Sequence, residues 1–141
     1  MPWLSGHEGG REPNDMALIL DSGALIALER NDRGMWRRLK SALLLHEIPV
    51  THGGVVGQIW RGKGARSALL ARALAGLDVR GIDEALGKRS GELLARAKKN
   101  DVIDAALVLL SVDGDTIVTS DPGDLAPLAR SAGHVVDILP T

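Results

Sequence analysis

The sequence predicts an α/β fold around a central, mostly parallel five-stranded sheet, and three observations carry that prediction. Short apolar runs alternate with longer segments of helical period along the chain, the pattern of repeated βαβ units. Five of the short runs have strand length and lie between turn-forming residues. Two of them, Ala17–Leu20 and Thr116–Thr119, run into an aspartate, Asp21 directly and Asp121 after Ser120. If those two strands are parallel neighbours, both carboxylates stand at one sheet edge, where open α/β sheets bind ligands.

The elements follow in order. Ala17–Leu20 is four apolar residues long, the length and character of a buried strand. Ser22-Gly23 turns the chain into a helix over Ser22–Glu29 that packs back on the strand. Asp21 has two readings. It caps that helix through a side-chain oxygen, or it is a site carboxylate whose desolvation needs a cation or donor to offset it. Asn31–Gly34 is a loop or a helix start. Met35–His46 is helical, with Trp36, Leu39, Leu43 and His46 at three- and four-residue spacing. Leu43, Leu44 and Leu45 on it read as core, with an interface as the other use. Pro49 makes the next strand short, Ile48–Thr51, reaching at most His52. His46 and His52 read as ordinary polar residues near a strand edge.

Gly53-Gly54 opens a helix with Val55, Val56, Ile59 and Trp60, and Gly62 and Gly64 interrupt it. Trp60 reads as core, with base stacking as its other use. Ala65–Ala75 is helical by composition and Leu77–Arg80 is a short strand. Asp83 and Glu84 suit the first turn of a helix that runs to about Lys98. Asp101–Ser111 is a nearly all-apolar, central helix. Asp113-Gly114 is a turn before the buried strand Thr116–Thr119. Pro122 opens a short helix from its first position, and Val135–Leu139 is the last strand. Right-handed crossovers between these strands make a doubly wound sheet.

Bulk properties bound the function. A chain of 141 residues is one domain with a sizeable core. That core is aliphatic, because Phe and Tyr are absent and Trp3, Trp36 and Trp60 are the aromatic residues. The net charge of −1 gives no global basic field for nucleic acid, which leaves only a local basic face. The absence of Cys excludes disulfides and thiolate chemistry and suits a reducing cytoplasm. No apolar run reaches membrane-span length. Residues 1–15, rich in Gly, Pro and charge, read as a flexible extension, a tag or an over-long start ahead of Met16, and residues 16–141 as the domain.

The chemistry lies in the carboxylates. Asp101 and Asp104 are three apart and share a helix face. Asp101 divides evenly between helix cap and site, whereas Asp104, one turn into an apolar helix, leans to the site. Asp124 follows Asp121 by three residues, as in a capping box, and leans structural while Asp121 leans to the site. Converging carboxylates repel, and a hard divalent cation, Mg²⁺ or Mn²⁺, relieves the repulsion with oxygen ligands. Such a site activates water, orients a phosphodiester and stabilises the leaving alkoxide. An HExxH zinc motif, a Gly-rich phosphate loop with Lys and a supported Ser-His-Asp set are all absent. An acid-pocket phosphatase or receiver-like domain needs a placed Lys that the sequence does not identify.

Four segments in order, ILDSGALIAL, TH-GG-VVGQIWRG, NDVIDAALVLL and TIVTSDPGDL, resemble the motif regions of PIN-domain ribonucleases, particularly VapC toxins of toxin–antitoxin pairs. The resemblance spans about residues 16–140. It implies a three-layer α/β/α fold and a metal-dependent endoribonuclease that cleaves RNA with a metal-activated water. Asp21, Asp104 and Asp121 match the first, third and fourth family acids, and Asp101 and Asp124 match accessory acids. Ser22 matches a hydroxyl position beside the first acid, with Thr119 and Ser120 beside the fourth. The family also implies a homodimer and a cognate antitoxin that lays a peptide over the groove.

The sequence departs from the family at the second acid. The usual Glu is Gln58, a neutral oxygen donor. Three readings stay open: a tolerated ligand variation, a weakened site that makes the chain an RNA- or protein-binding module, or a helix surface residue. Arg61, Lys63 and Arg66 after it either contact RNA phosphates or form a solvated face.

Overall fold

The computed structural model describes residues 16–141, and the expected extension 1–15 lies outside the described residues. Five strands, β1 (Leu18–Leu20), β2 (Val50–His52), β3 (Asp78–Arg80), β4 (Thr116–Thr119) and β5 (Asp137–Pro140), form one sheet in the order β3-β2-β1-β4-β5. Every pairing is parallel. The expected sheet is therefore present, and it is all parallel rather than mostly so.

Seven helices among the described residues cover it: α1 (Ser22–Glu29), α2 (Arg33–Leu44), α3 (Gly53–Ile59), α4 (Gly64–Leu74), α5 (Glu84–Ala97), α6 (Val102–Leu110) and α7 (Pro122–Ala132). Helix α1 packs on α2, α3 and α4, whereas α5, α6 and α7 pack on one another. These two groups sandwich the sheet in three layers. A parallel sheet buried on both faces has apolar strands, and Ile19, Leu20, Val50, Ile117 and Val118 are all buried. Leu25, Leu28, Leu70, Leu93, Leu107, Leu125 and Leu128 close over them from the helices.

Local signals set the helix ends. Asp32 caps α2, accepting from Met35 N–H at 2.8 Å, so the helix starts at Arg33 rather than Met35. It ends before His46, whose φ of 59° breaks the helical ladder. Asp83 caps α5 on Leu86 N–H at 2.8 Å. Pro122 opens α7 and left-handed Gly133 ends it, so this helix is 11 residues long rather than short. Strands β2 and β5 each begin two residues later than expected, after Pro49 and Val136.

Three packing expectations fail. Leu44 and Leu45 are 81% and 66% exposed, while Leu43 packs against the core. Successive helical residues are about 100° apart, so three in a row cannot share one face. Trp60 is 40% exposed because α3 ends before it and the ring leaves the buried face. His52, by contrast, is fully buried.

Strands β1 and β4 are adjacent although far apart in sequence, and the strand order reverses between them. That reversal is the topological switch point of the sheet, with its crevice at the carboxyl ends of the strands. Asp21 N–H donates to the Val118 carbonyl at 3.1 Å, just past the last β1–β4 pair, Leu20 with Val118.

Candidate active site

Asp21 leaves β1 at this crevice and is 6% exposed. Its Oδ1 accepts from Ser22 N–H at 2.7 Å, so it does cap α1. Its Oδ2 does something a cap does not require. It accepts from the Thr119 hydroxyl at 2.7 Å, across to β4. The same Thr119 oxygen accepts from Asp121 N–H at 2.9 Å. One buried hydroxyl thus ties the carboxylate of Asp21 to the backbone of Asp121.

Close packing maintains that junction. A Cβ on Gly23 would lie 2.6 Å from Ser120 Cβ and 2.7 Å from Ser120 N, so only glycine lets α1 approach the β4 end this closely. Ser22, half-buried, and Ser120, exposed, flank the acids, and neither hydroxyl is bonded to them.

Helix α6 delivers the next two acids. Asp101 is its N-cap, with Oδ1 accepting from Ile103 N–H at 2.9 Å and Asp104 N–H at 3.2 Å. Its cap role is therefore real, and it leaves the second oxygen open. Asp104 is half-buried on the same turn. Burial pushes its carboxyl up to about 7, helped in decreasing order by the charges of Asp101, Asp21, Asp124 and Asp121. Each of the other four predicted acids lies near enough to Asp104 for its charge to be felt there. Asp121 stands at the N-cap position of α7, yet its side chain makes no capping hydrogen bond. Asp124 is exposed in the first turn of α7. The described ion pairs, Arg80 with Asp78 and Lys88 with Glu84, leave the five acids without a cationic partner among the described residues.

The donor set is all carboxylate and hydroxyl oxygen, which suits a hard cation. Among the described residues, no three His, Cys, Asp or Glu side chains already close on one metal position. Mg²⁺ keeps several waters and is commonly held by only one or two carboxylates, so an open acid cluster still fits it.

The other expected residues lie further out. Gln58 is exposed on α3, and among the described residues its amide has no hydrogen-bond partner. The Arg61 guanidinium folds back on the end of α3, donating to the carbonyls of Trp60 at 2.8 Å and Gln58 at 3.2 Å. Lys63 and Arg66 are exposed at the start of α4.

One participant escaped the sequence. His52 ends β2, its Nδ1 accepts from Gly54 N–H at 3.1 Å, and its Nε2 meets the Ile103 carbonyl at 2.9 Å, between Asp101 and Asp104. Burial pushes its pKa down. The only sequence signal was its place directly before a helix.

No protein-family model and no curated protein sequence matches the chain. Among solved structures, it is similar to a chain of the VapBC2 complex from Rickettsia felis bound to a DNA fragment from its promoter, with a TM-score of 0.65 over 87% of this chain and 98% of that one. At 13% identity the likeness is one of fold: the chain shares its three-layer α/β/α architecture with that VapBC2 chain.

Proposed function

We propose that this chain is a Mg²⁺- or Mn²⁺-dependent endoribonuclease of the VapC toxin kind. Asp21, Asp104 and Asp121 are its catalytic carboxylates and cation ligands, assisted by Asp101 and Asp124. One observation carries the reading. Asp21, Asp101, Asp121 and Asp124 all bear on the half-buried Asp104 at the switch point of the sheet, none of the five has a cationic partner among the described residues, and burial raises the Asp104 carboxyl to about 7. A carboxylate cluster left uncompensated in that crevice matches a divalent cation and a phosphodiester better than a role in packing.

When bound, the cation supplies Lewis acidity to a water and to a phosphodiester oxygen. The chain supplies the arrangement. Thr119 orients Asp21 and holds the Asp121 backbone against it. Asp121, whose side chain makes no capping hydrogen bond, keeps its carboxylate available to a cation. Asp104 retains a proton near neutral pH and gives it up as positive charge enters. Water adds to phosphorus as the bond to the leaving ribose oxygen breaks, and the proton that the water loses ends on that oxygen as its hydroxyl. Lys63 and Arg66 contact RNA phosphates outside the acids, while Arg61 shapes the end of α3.

A cognate antitoxin partner is part of this reading, supported by the fold neighbour having been solved as a VapBC2 complex. So is a homodimer, for which the exposed Leu44 and Leu45 offer apolar surface. Among the described residues no helix is long and apolar enough to cross a membrane.

A second reading, a PIN-like binding module with a weakened site, is favoured by the exposed Gln58, whose amide has no partner among the described residues, and by the open arrangement of the described acids. Calorimetric titration with Mn²⁺, beside cleavage of labelled RNA, separates the two. Asp121→Asn is the cleanest variant, because that carboxylate caps nothing. The wild-type chain is expected to bind Mn²⁺ and cut RNA, with binding weakened at least about tenfold in Asp121→Asn and in Asp21→Asn. A wild-type chain that binds RNA but neither binds Mn²⁺ nor cuts is the binding module.

A further inference from the structure

His52 uses both ring nitrogens at a three-way junction. Gly54 N–H donates to Nδ1 at 3.1 Å and caps α3. An accepting Nδ1 leaves the proton of the neutral ring on Nε2. Nε2–H therefore donates to the Ile103 carbonyl at 2.9 Å, joining the end of β2 to the first turn of α6. The ring is fully buried, which favours the neutral form that this pattern requires. The fit is close on both sides. A Cβ on Gly54 would lie 2.9 Å from His52 Cε1 and would collide with Ile103 Cδ1.

The junction matters because it ties the first turn of α6, where Asp101 and Asp104 lie, to the end of β2. Ala105, Ala106, Leu107 and Val108 bury the helix through apolar contact. Such contact is non-directional and lets a short helix slide or roll. The Asp101 cap is internal to α6 and does not tie it to the sheet. The Ile103 carbonyl lies between Asp101 and Asp104, and a hydrogen bond to it is directional and weakens steeply when bent.

We infer that His52 is a positioning residue of the acid site, whose Nε2–H, donated to the Ile103 carbonyl, sets where the first turn of α6 places Asp104 relative to Asp21 and Asp121. His52 touches neither cation nor RNA. The inference rests on the metal-site reading and adds the residue that tunes it.

The two ring bonds can be separated by substitution. Glutamine places an amide N–H near the Nε2 position and can keep the bond to Ile103. Asparagine places an oxygen near Nδ1 and can keep the cap on Gly54. Mn²⁺ titrations and thermal unfolding of the wild-type chain, His52→Gln and His52→Asn are compared. The expected result is Mn²⁺ affinity about 10- to 100-fold weaker in His52→Asn, the cost typical of losing an outer hydrogen bond to a metal site, with His52→Gln close to wild type. Folded variants that both bind as wild type, or that weaken equally in step with lost stability, overturn the inference. A wild-type chain that fails to bind Mn²⁺ overturns the metal-site reading itself and is told apart by that first titration.

A measurement on the unsubstituted chain covers the case of a variant that does not fold. Nitrogen NMR of labelled histidine is expected to show the Nε2–H tautomer of His52, with ring signals that shift on saturation with Mg²⁺. An Nδ1–H tautomer, or ring signals that stay put, overturns the inference.

Discussion

The β1–β4 pair carries a buried aspartate at each end, and the two ends are built differently. At the amino end, Asp115 is fully buried, with Oδ1 accepting from Ala17 N–H at 2.9 Å and Oδ2 from Val112 N–H at 2.8 Å. Backbone donors hold both oxygens, and the carboxylate staples a loop to the first strand. At the carboxyl end, Asp21 is also bonded through both oxygens. Its neighbours Asp104, Asp121 and Asp124 have no cationic partner among the described residues, and the proton affinity of Asp104 is raised by burial and by their charges. Burial alone therefore does not mark a functional acid. What separates the two ends is whether the protein itself compensates the charge.

The largest expected effect tests the stapling end. Asp115→Ala takes the acceptor from the buried Ala17 N–H and the part-buried Val112 N–H and is expected to cost roughly 2–4 kcal/mol in urea unfolding. The folded fraction should still bind Mn²⁺. Asp104→Asn is expected to do the reverse, keeping or raising stability while weakening Mn²⁺ binding. Matching responses from the two variants would erase the contrast between the ends.

Gly23→Ala comes next. The added methyl meets the Ser120 backbone, not a flexible side-chain tip, and is expected to cost about 1–3 kcal/mol as overpacking. It should also loosen Mn²⁺ binding by moving the start of the Asp121 turn away from Asp21. Unchanged affinity would show that the Gly23 contact serves packing only.

The pH dependence sharpens the comparison further. Asp104 has its proton affinity raised in the folded chain, from an ordinary 3.8 to about 7. The folded state binds more protons between those values, so the contribution of this group to stability is fully present below about 3.8 and is lost as pH rises through about 7. A stability curve that falls over this window in wild type and flattens in Asp104→Asn is the expected outcome. Because cation and proton compete, Mn²⁺ affinity is expected to rise by up to about tenfold per pH unit below 7 and to level off above.

The smallest effect is at Gln58. An exposed carboxylate interacts weakly with a nearby charge, so Gln58→Glu is expected to change Mn²⁺ affinity by less than about fivefold. A large gain in RNA cleavage would instead identify Gln58 as the weak point of the acid site.

Much of this was legible before folding. Ser22–Glu29 and Thr116–Thr119 are predicted to the residue, because apolar period, turn residues and helix starts act over a few positions. The meeting of Asp21 and Asp121 follows from strand adjacency alone. Leu44, Leu45 and Trp60 were misplaced, since composition says that a side chain is apolar but not which face of a helix has a neighbour. Nothing in the sequence marks Asp115, and His52 reads as ordinary, because their partners Ala17 and Ile103 lie far along the chain.

By itself the sequence determined the order of strands and helices, the aliphatic core, the absence of thiol chemistry and the candidate acids, since each depends on residue type and short-range pattern. Tertiary structure alone decided which acid is stapled and which is crowded by other acids, that Thr119 joins Asp21 to Asp121, that Arg61 is spent on the end of α3, and that His52 meets the Ile103 carbonyl at the start of α6. Charge compensation and hydrogen-bond geometry are sums over neighbours in space, and those neighbours exist only once the chain has closed.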